Sequence, residues 1–386
     1  MMKEPFVNIE RLVGGESPSI GLGCQRCAFL SVCGGTTAGF DCLTECCNSP
    51  RTCRIACPKS LQLGALIADG GGWERTNAEV RQNRVPTLPL YIPMIHHPSG
   101  RLREIAEPLV AIPLKSVVAI LRHIPGITSE EFRRAFLISK TAKVIVVSVA
   151  KDPFLEGFWR NMGAEDFPNR LQKLDLEHIT SPNFSFSQNL PRTESLTNRS
   201  RIVKSSEQLS AAGLSVIPHL NATNANDWMF WTSFLREHGE ISLVAKEFQT
   251  GLKIKEVARH HVQRLDILQN DIGRKLSVLA IGGRGVIDEL SLLPSVSIID
   301  STPFMKAIKR HVLLPGKNEF EPLRGKHIDF HLRSNISEYR KRLQEQRVES
   351  IQRTLLIPAL CLEEPRRAVK SELQPSLFPN MYLESA

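Results

Sequence analysis

Between residues 85 and 300 the chain repeats one pattern. A short apolar run is followed by a longer, more polar stretch with helical spacing. The runs cover residues 88–95, 109–118, 144–150, 179–186, 214–220, 241–248, 276–281 and 296–300. Several are apolar at consecutive positions, which predicts strands buried on both faces of a parallel sheet. The stretches between the later runs read as helices. Asn224 or Asn226 is placed to cap a helix carrying Trp228, Trp231 and Leu235, with Gly239 at its end. Ile254, Val257, His261, Leu265, Leu268 and Ile272 recur at three- and four-residue steps and share a helical face. Thr302 is placed to cap a further helix, with Pro303 in its first turn.

Eight strands alternating with helices predict an α/β fold, a (β/α)8-like barrel over residues 76–330. Pro86, Pro89, Pro93 and Pro113 fall in or beside the first two runs, so an incomplete barrel or an open doubly wound sheet stays an alternative. Residues 1–75 read as a separate, loop-rich module. Residues 331–386 read as a basic helix over 337–353 and an extended tail with Pro365, Pro375 and Pro379.

The N-terminal module changes the picture most. Eight of the nine cysteines, Cys24, Cys27, Cys33, Cys42, Cys46, Cys47, Cys53 and Cys57, lie within a few turns of chain; Cys361 stands alone. Eight thiols at short spacing suffice for two four-coordinate centres, iron–sulfur or zinc. Cys53-x-x-x-Cys57-Pro58 matches the end of the bacterial ferredoxin run, and only one Cys-x-x-Cys knuckle is present where zinc sites usually have two. The reading is an iron–sulfur cluster, with zinc as the alternative. The radical S-adenosylmethionine loop is absent, because Ser49 stands where Cys42-x-x-x-Cys46 would need its third ligand.

The formal charge of +9 points to a polyanionic partner or to a merely basic surface. Residues 301–347 hold eleven Lys or Arg against five Asp or Glu, with Arg340, Lys341 and Arg342 in succession. That run is either a solvated face or a phosphate contact. No apolar stretch reaches membrane-spanning length, and the first residues lack a signal peptide's apolar core. The expectation is a cytoplasmic protein with reduced thiols and no membrane association.

In a barrel, chemistry gathers at the C-terminal strand ends. These offer His96-His97, Lys151-Asp152, Asn183 and Ser185, His219 and Asn221, Lys246-Glu247, Gly282-Gly283-Arg284-Gly285, and Asp300. Gly282, Gly283 and Arg284 are expected to bind phosphate, since glycine admits close backbone approach and arginine pairs with phosphate oxygens. Glu247 and Asp300 are expected to flank that turn as acid and base, or to be held in salt bridges. His219, Asn221 and Asn183 complete the catalytic candidates, His219 having a core-histidine alternative. His260-His261 reads as structural.

Thr180-Ser181-Pro182-Asn183-Phe184-Ser185-Phe186 and the later Val216-Ile217-Pro218-His219-Leu220-Asn221, with Lys151-Asp152-Pro153-Phe154 and Trp159 upstream, carry a resemblance over roughly residues 140–250. The segment resembles an uncharacterised domain family of bacteria, phages and mobile elements, in which the first motif is close to Ser-Pro-Asp-Phe-Ser. Asn183 stands here where that pattern has Asp. The resemblance implies no particular activity.

Two readings follow. One is a metal-cluster barrel enzyme acting on a phosphate-bearing or nucleic-acid substrate. The other is a non-catalytic nucleic-acid-binding component of a mobile element or defence system, with the metal as a staple. A redox role in electron transfer is a third.

Overall fold

The computed structural model of the chain describes residues 24–35, 42, 55–84, 87–98, 100–186, 190–249, 252, 254–317 and 319–356. In chain order the elements are α1 (Leu30–Cys33), α2 (Leu63–Asp69), β1 (Tyr91–Pro93), β2 (Leu109–Pro113), α3 (Leu114–His123), α4 (Ser129–Ala135), β3 (Lys143–Val147), α5 (Asp152–Asn161), α6 (Phe167–Gln172) and β4 (His178–Thr180). Then come α7 (Arg192–Ala211), β5 (Val216–Ile217), α8 (Ala225–Glu237), β6 (Leu243–Phe248), α9 (Lys255–Asp271), β7 (Ser277–Gly282), α10 (Ile287–Leu290) and β8 (Val296–Asp300). The chain continues with α11 (Thr302–Ile308), the hairpin β9 (His311–Leu313) and β10 (Phe320–Pro322), and α12 (Ile328–Leu356).

The first eight strands form two parallel four-stranded sheets, ordered β2-β3-β4-β5 and β1-β8-β7-β6. Parallel bridges pair Met94 with Ala111 and His219 with Ala245. Ile95 N–H donates to Ala111 at 2.8 Å, and Leu220 N–H to Ala245 at 3.0 Å. The sheets are therefore in register contact at both seams, and all eight strands point the same way.

Alternate residues separate two apolar clusters, as strand geometry requires. Ile92, Met94, Ala111, Ile145, Val147, Ile217, Ala245, Ile281 and Ile299 pack together from strands of both sheets. Their neighbours Val110, Val146, Val216, Val244, Ile298 and others pack instead against the helices. Only burial on both faces makes such strands continuously apolar.

The eight predicted runs all hold strands; β8 coincides with its run, β7 is shifted by one residue, and the other six are shorter than their runs. The run at 109–118 splits after Pro113, and Leu114, Val117, Val118 and Leu121 bury one face of α3. α12 begins at Ile328, earlier than expected, and packs against α11, α10 and β9. Asn224 caps α8 by accepting from Asp227 N–H at 3.1 Å, and the helix ends before Gly239. No helix among the described residues is long and apolar enough to cross a membrane.

α7 departs most from expectation. It is twenty residues long, and fifteen are buried although most are polar. The described part of residues 24–76 supplies its cover. Trp73 Nε1 donates to Thr197 Oγ1 at 3.1 Å, Arg199 donates to the Trp73 carbonyl at 3.0 Å, and Ser200 to the Gly72 carbonyl at 2.7 Å. Buried polar groups need such partners, so this segment and α7 complete each other.

Candidate active site and cysteine centre

Glu247 is the C-terminal inward position of β6, on the face shared by Leu243 and Ala245. It is half-buried, and its Oε1 accepts the Gln249 N–H at 2.7 Å. Asp300 corrects the expectation of a facing pair. It follows Ile299 of the enclosed cluster and so takes the helix-side face with Ile298. There it accepts the Tyr339 hydroxyl of α12, and its Oδ1 accepts Thr302 N–H at 2.7 Å at the start of α11, whose N-cap is Ser301 rather than the expected Thr302. Tyr339 is pushed well above the ordinary tyrosine range, first by burial and then by Asp300. Glu247 and Asp300 face opposite sides of the sheet.

The turn after β7 also differs from expectation. Gly282 and Gly283 both take positive φ, +80° and +91°. A Cβ at Gly282 would meet Gln249 Cγ at 2.6 Å, and one at Gly283 would meet Leu290 Cδ1 at 2.8 Å. The space that glycine opens is filled by the protein's own side chains. Arg284 lies over the Tyr339 ring, 5.4 Å from its centroid. The phosphate role of Gly282, Gly283 and Arg284 therefore has no geometric support.

The ends of β4 and β5 do come together. Asn221 Nδ2 donates to Asn183 Oδ1 at 2.7 Å and to the Phe184 carbonyl at 2.9 Å. Asn183 N–H donates to the Ser148 carbonyl at 2.9 Å, and Ser185 Oγ to Asp152 Oδ1 at 2.6 Å. Residues 181–185 are thus clamped to the ends of β3 and β5. His219 is completely buried and pairs with Ala245 of the enclosed cluster. Its Nδ1 lies 2.7 Å from the Ser181 carbonyl, which can only accept, so Nδ1 carries the proton. Burial pulls its pKa down to about 4, leaving a neutral ring whose Nε2 has no partner among the described residues. The bridge register sets Asn221 level with Glu247 on the neighbouring strand. Asn183, Asn221, His219 and Glu247 therefore occupy adjoining strand ends.

His96 and His97 pack against Phe304, with ring centroids 5.7 and 5.1 Å away. His261 lies in α9, half-buried, 5.8 Å from Trp228. In the basic run, Arg340 pairs with Glu107, Arg342 with Glu338 at 2.9 Å, and Lys341 with Glu345 at 3.8 Å. These cations face carboxylates, which supports the solvated-face alternative over a phosphate contact.

The cysteine segment meets the same side of the sheets. Arg192 N–H, the first in α7, donates to Cys42 Sγ at 3.4 Å. Asn224, capping α8, donates to the Cys33 and Gly35 carbonyls at 3.0 and 3.2 Å. Gly34 is so close to Asn226 that a Cβ would lie 2.6 Å from its Cγ. These helices begin just after β4 and β5, so their N-termini lie with the C-terminal strand ends.

Cys24, Cys27, Cys33, Cys42 and Cys57 are free thiols. Cys24 and Cys27 form a tight turn, with the Cys27 N–H on the Cys24 carbonyl at 3.0 Å. Burial raises the pKa of Cys33, against the pull of Arg192, and Cys24 and Cys27 add to the rise. Burial likewise pushes Cys42 up to about 11, with Cys33, Cys24 and Cys57 contributing. Cys33 thus lies within electrostatic reach of Cys24 and Cys27, and Cys42 within reach of Cys33, Cys24 and Cys57. Among the described residues, however, no group of three or more His, Cys, Asp or Glu is arranged to hold a metal ion. Cys46, Cys47, Cys53 and Cys361 lie outside the described residues.

Three residues near these strand ends, Arg192, Asn224 and Asp227, were not among the sequence-derived site residues, and Lys246 entered only beside Glu247 at the strand end. Asp227 is fully buried between Arg192 and Arg199, the latter at 2.8 Å. Burial works to raise its pKa, but the two arginines overcome this and hold it below the usual carboxylate range. Lys246 is buried on the helix side of β6, donates to the Leu220 carbonyl at 2.8 Å and lies over the Trp228 ring. Burial lowers it to about 8, opposed by Glu247 and Asp227. The available signal was the polarity of α7, since a helix without an apolar face beside buried strands implies a second covering layer. The chain matches no protein-family model and no curated protein sequence.

Proposed function

We propose that the protein is a closed (β/α)8-barrel enzyme carrying an iron–sulfur centre at the C-terminal end of the barrel. Closure is supported by the two bridged seams and by the enclosed cluster drawn from both sheets. The observation that carries the functional reading is the docking of the cysteine segment on the N-termini of α7 and α8, through Arg192 and Asn224. This brings the thiols to the side on which such barrels perform chemistry.

Cys24, Cys27, Cys33, Cys42 and Cys57, with Cys46, Cys47 and Cys53, would hold the cluster, and the cluster would supply one-electron or Lewis-acid chemistry. Glu247 acts as the acid or base, with Asn183 and Asn221 fixing the neighbouring strand ends and His219 offering a neutral acceptor at Nε2. The charge of +9 supports a phosphate-bearing or nucleic-acid substrate. Protein purified without oxygen should be brown and contain iron and acid-labile sulfide. Colourless protein with stoichiometric zinc would overturn the proposal and make the cysteines a structural staple.

A further inference from the structure

The basic run divides in two. Arg340, Lys341 and Arg342 each face a carboxylate, and Lys317 pairs with Glu321 at 3.4 Å. Upstream, Lys309, Arg310, Arg324, Lys326 and Arg333 are exposed and have no ion-pair partner among the described residues. Asp329, the one carboxylate between Lys326 and Arg333, is taken by His327 at 2.9 Å and Arg101 at 3.9 Å. Unmatched like charges gathered in one place raise the local potential and draw a polyanion.

The fold does gather them. β9 and β10 pair antiparallel, with His311 opposite Pro322, and Leu323 N–H donates to the Arg310 carbonyl at 3.0 Å. Lys309 and Arg310 therefore stand beside Arg324 at the open end of the hairpin. Lys326 follows and leads into α12, where it lies over the Phe330 ring, 5.7 Å from the centroid. His331, buried in the first turn of α12, is held below the ordinary histidine range first by burial, with the Arg310 charge acting in the same sense and the Lys326 backbone against it. The hairpin end and the helix start thus meet around His331. Phe330 is 45% exposed, and Arg333, three residues on, shares its helical face. The surface adjoins the loop that leaves the C-terminal end of β1. Leu102 N–H donates to Asp329 Oδ2 at 3.0 Å, and a Cβ at Gly100 would lie 2.5 Å from Ile328 Cδ1.

The chemistry favours one class of polyanion. Arginine forks match phosphate oxygens, and an exposed aromatic ring among cations offers a face on which unpaired bases stack. A lipid surface asks for a whole apolar helix face. Here the apolar residues in the first half of α12, Leu332, Ile336, Tyr339 and Leu343, are buried against the body, and only Leu102, Met305 and Phe330 are exposed nearby.

We propose that the open end of the β9–β10 hairpin and the start of α12 form a single-stranded nucleic-acid surface, with Lys309, Arg310, Arg324, Lys326 and Arg333 contacting phosphates and Phe330 stacking on a base. This rests on the nucleic-acid part of the proposed function and deepens it by naming the surface.

The test is fluorescence anisotropy of the full chain with a labelled oligothymidylate, repeated across salt concentrations. Each phosphate contact on a single strand contributes roughly 0.7 to the slope of log affinity against log salt. Arg310→Gln, Arg324→Gln and Lys326→Gln together should therefore weaken binding and flatten that slope by about 2. All three side chains are exposed, so the fold should survive. Phe330→Ala should weaken binding by about 5- to 150-fold and leave the slope unchanged. The joint Ala replacement of Arg340, Lys341 and Arg342 is the control and should match wild type. Wild-type affinity and slope in the triple Gln variant, or tighter binding to the matched duplex, overturns the inference and leaves the nucleic-acid reading standing. Wild-type protein that binds no oligonucleotide, or binds only phosphatidylserine vesicles, overturns both.

Discussion

Asn221 Nδ2 donates to Asn183 Oδ1 across 2.7 Å, joining the ends of two neighbouring strands. The contact explains why the Ser-Pro-Asn-Phe-Ser segment behaves as a scaffold. An aspartate at 183 could accept the same bond; asparagine makes it without a charge. Glu247 on the adjoining strand is then the carboxylate whose placement suits chemistry.

Glu247→Gln preserves an acceptor for the Gln249 N–H, so the fold should survive, with a stability change below about 1 kcal/mol. Turnover should be abolished, because the variant neither takes up nor releases a proton at neutral pH. Parallel thermal melting and turnover assays check this. Wild-type turnover in the variant would remove Glu247 from the chemistry.

Asp227 is the carboxylate on which α7 and α8 meet. Asp227→Ala leaves Arg192 and Arg199 buried without their anion, and should cost roughly 3 to 5 kcal/mol. Urea denaturation measures it. A loss below about 1 kcal/mol would mean that water relieves the arginines in solution.

Burial holds His178 and His219 near pKa 4, against 6.5 unburied. The folded state therefore stays unprotonated where the unfolded chain takes up protons. Stability should be full above pH 6.5 and fall between pH 6.5 and 4, by on the order of 3 kcal/mol for each histidine. Denaturation across this range, with His178→Gln as comparison, should show a shallower fall in the variant. An identical slope would place the proton uptake elsewhere.

Arg340, Lys341 and Arg342 each pair with a carboxylate, so their joint replacement should not affect any nucleic-acid binding. Arg340, Lys341 and Arg342 changed together to Ala should leave the salt dependence of binding unchanged. A flatter salt dependence would restore these residues as phosphate contacts.

The strands were legible because continuous burial writes itself as apolar runs, as at 241–248 and 276–281. Their orientation was not. A step of one residue sends a side chain to the other face, and Asp300 falls on the wrong parity for a pair with Glu247. The glycines after β7 were legible as a turn, but whether ligand or Gln249 fills the opening depends on a contact distant in sequence space from any motif. Arg192 was hidden for the same reason, since its meaning comes from Cys42 and Asp227, far along the chain in both directions.

Iron-edge anomalous diffraction from anaerobically grown crystals tests the central claim most directly, because it reads both the element and its location. The account predicts iron beside Arg192 N–H and the Asn224 side chain, on the side of the C-terminal ends of β4 and β5. A peak at the zinc edge alone, or iron away from the N-termini of α7 and α8, would contradict it.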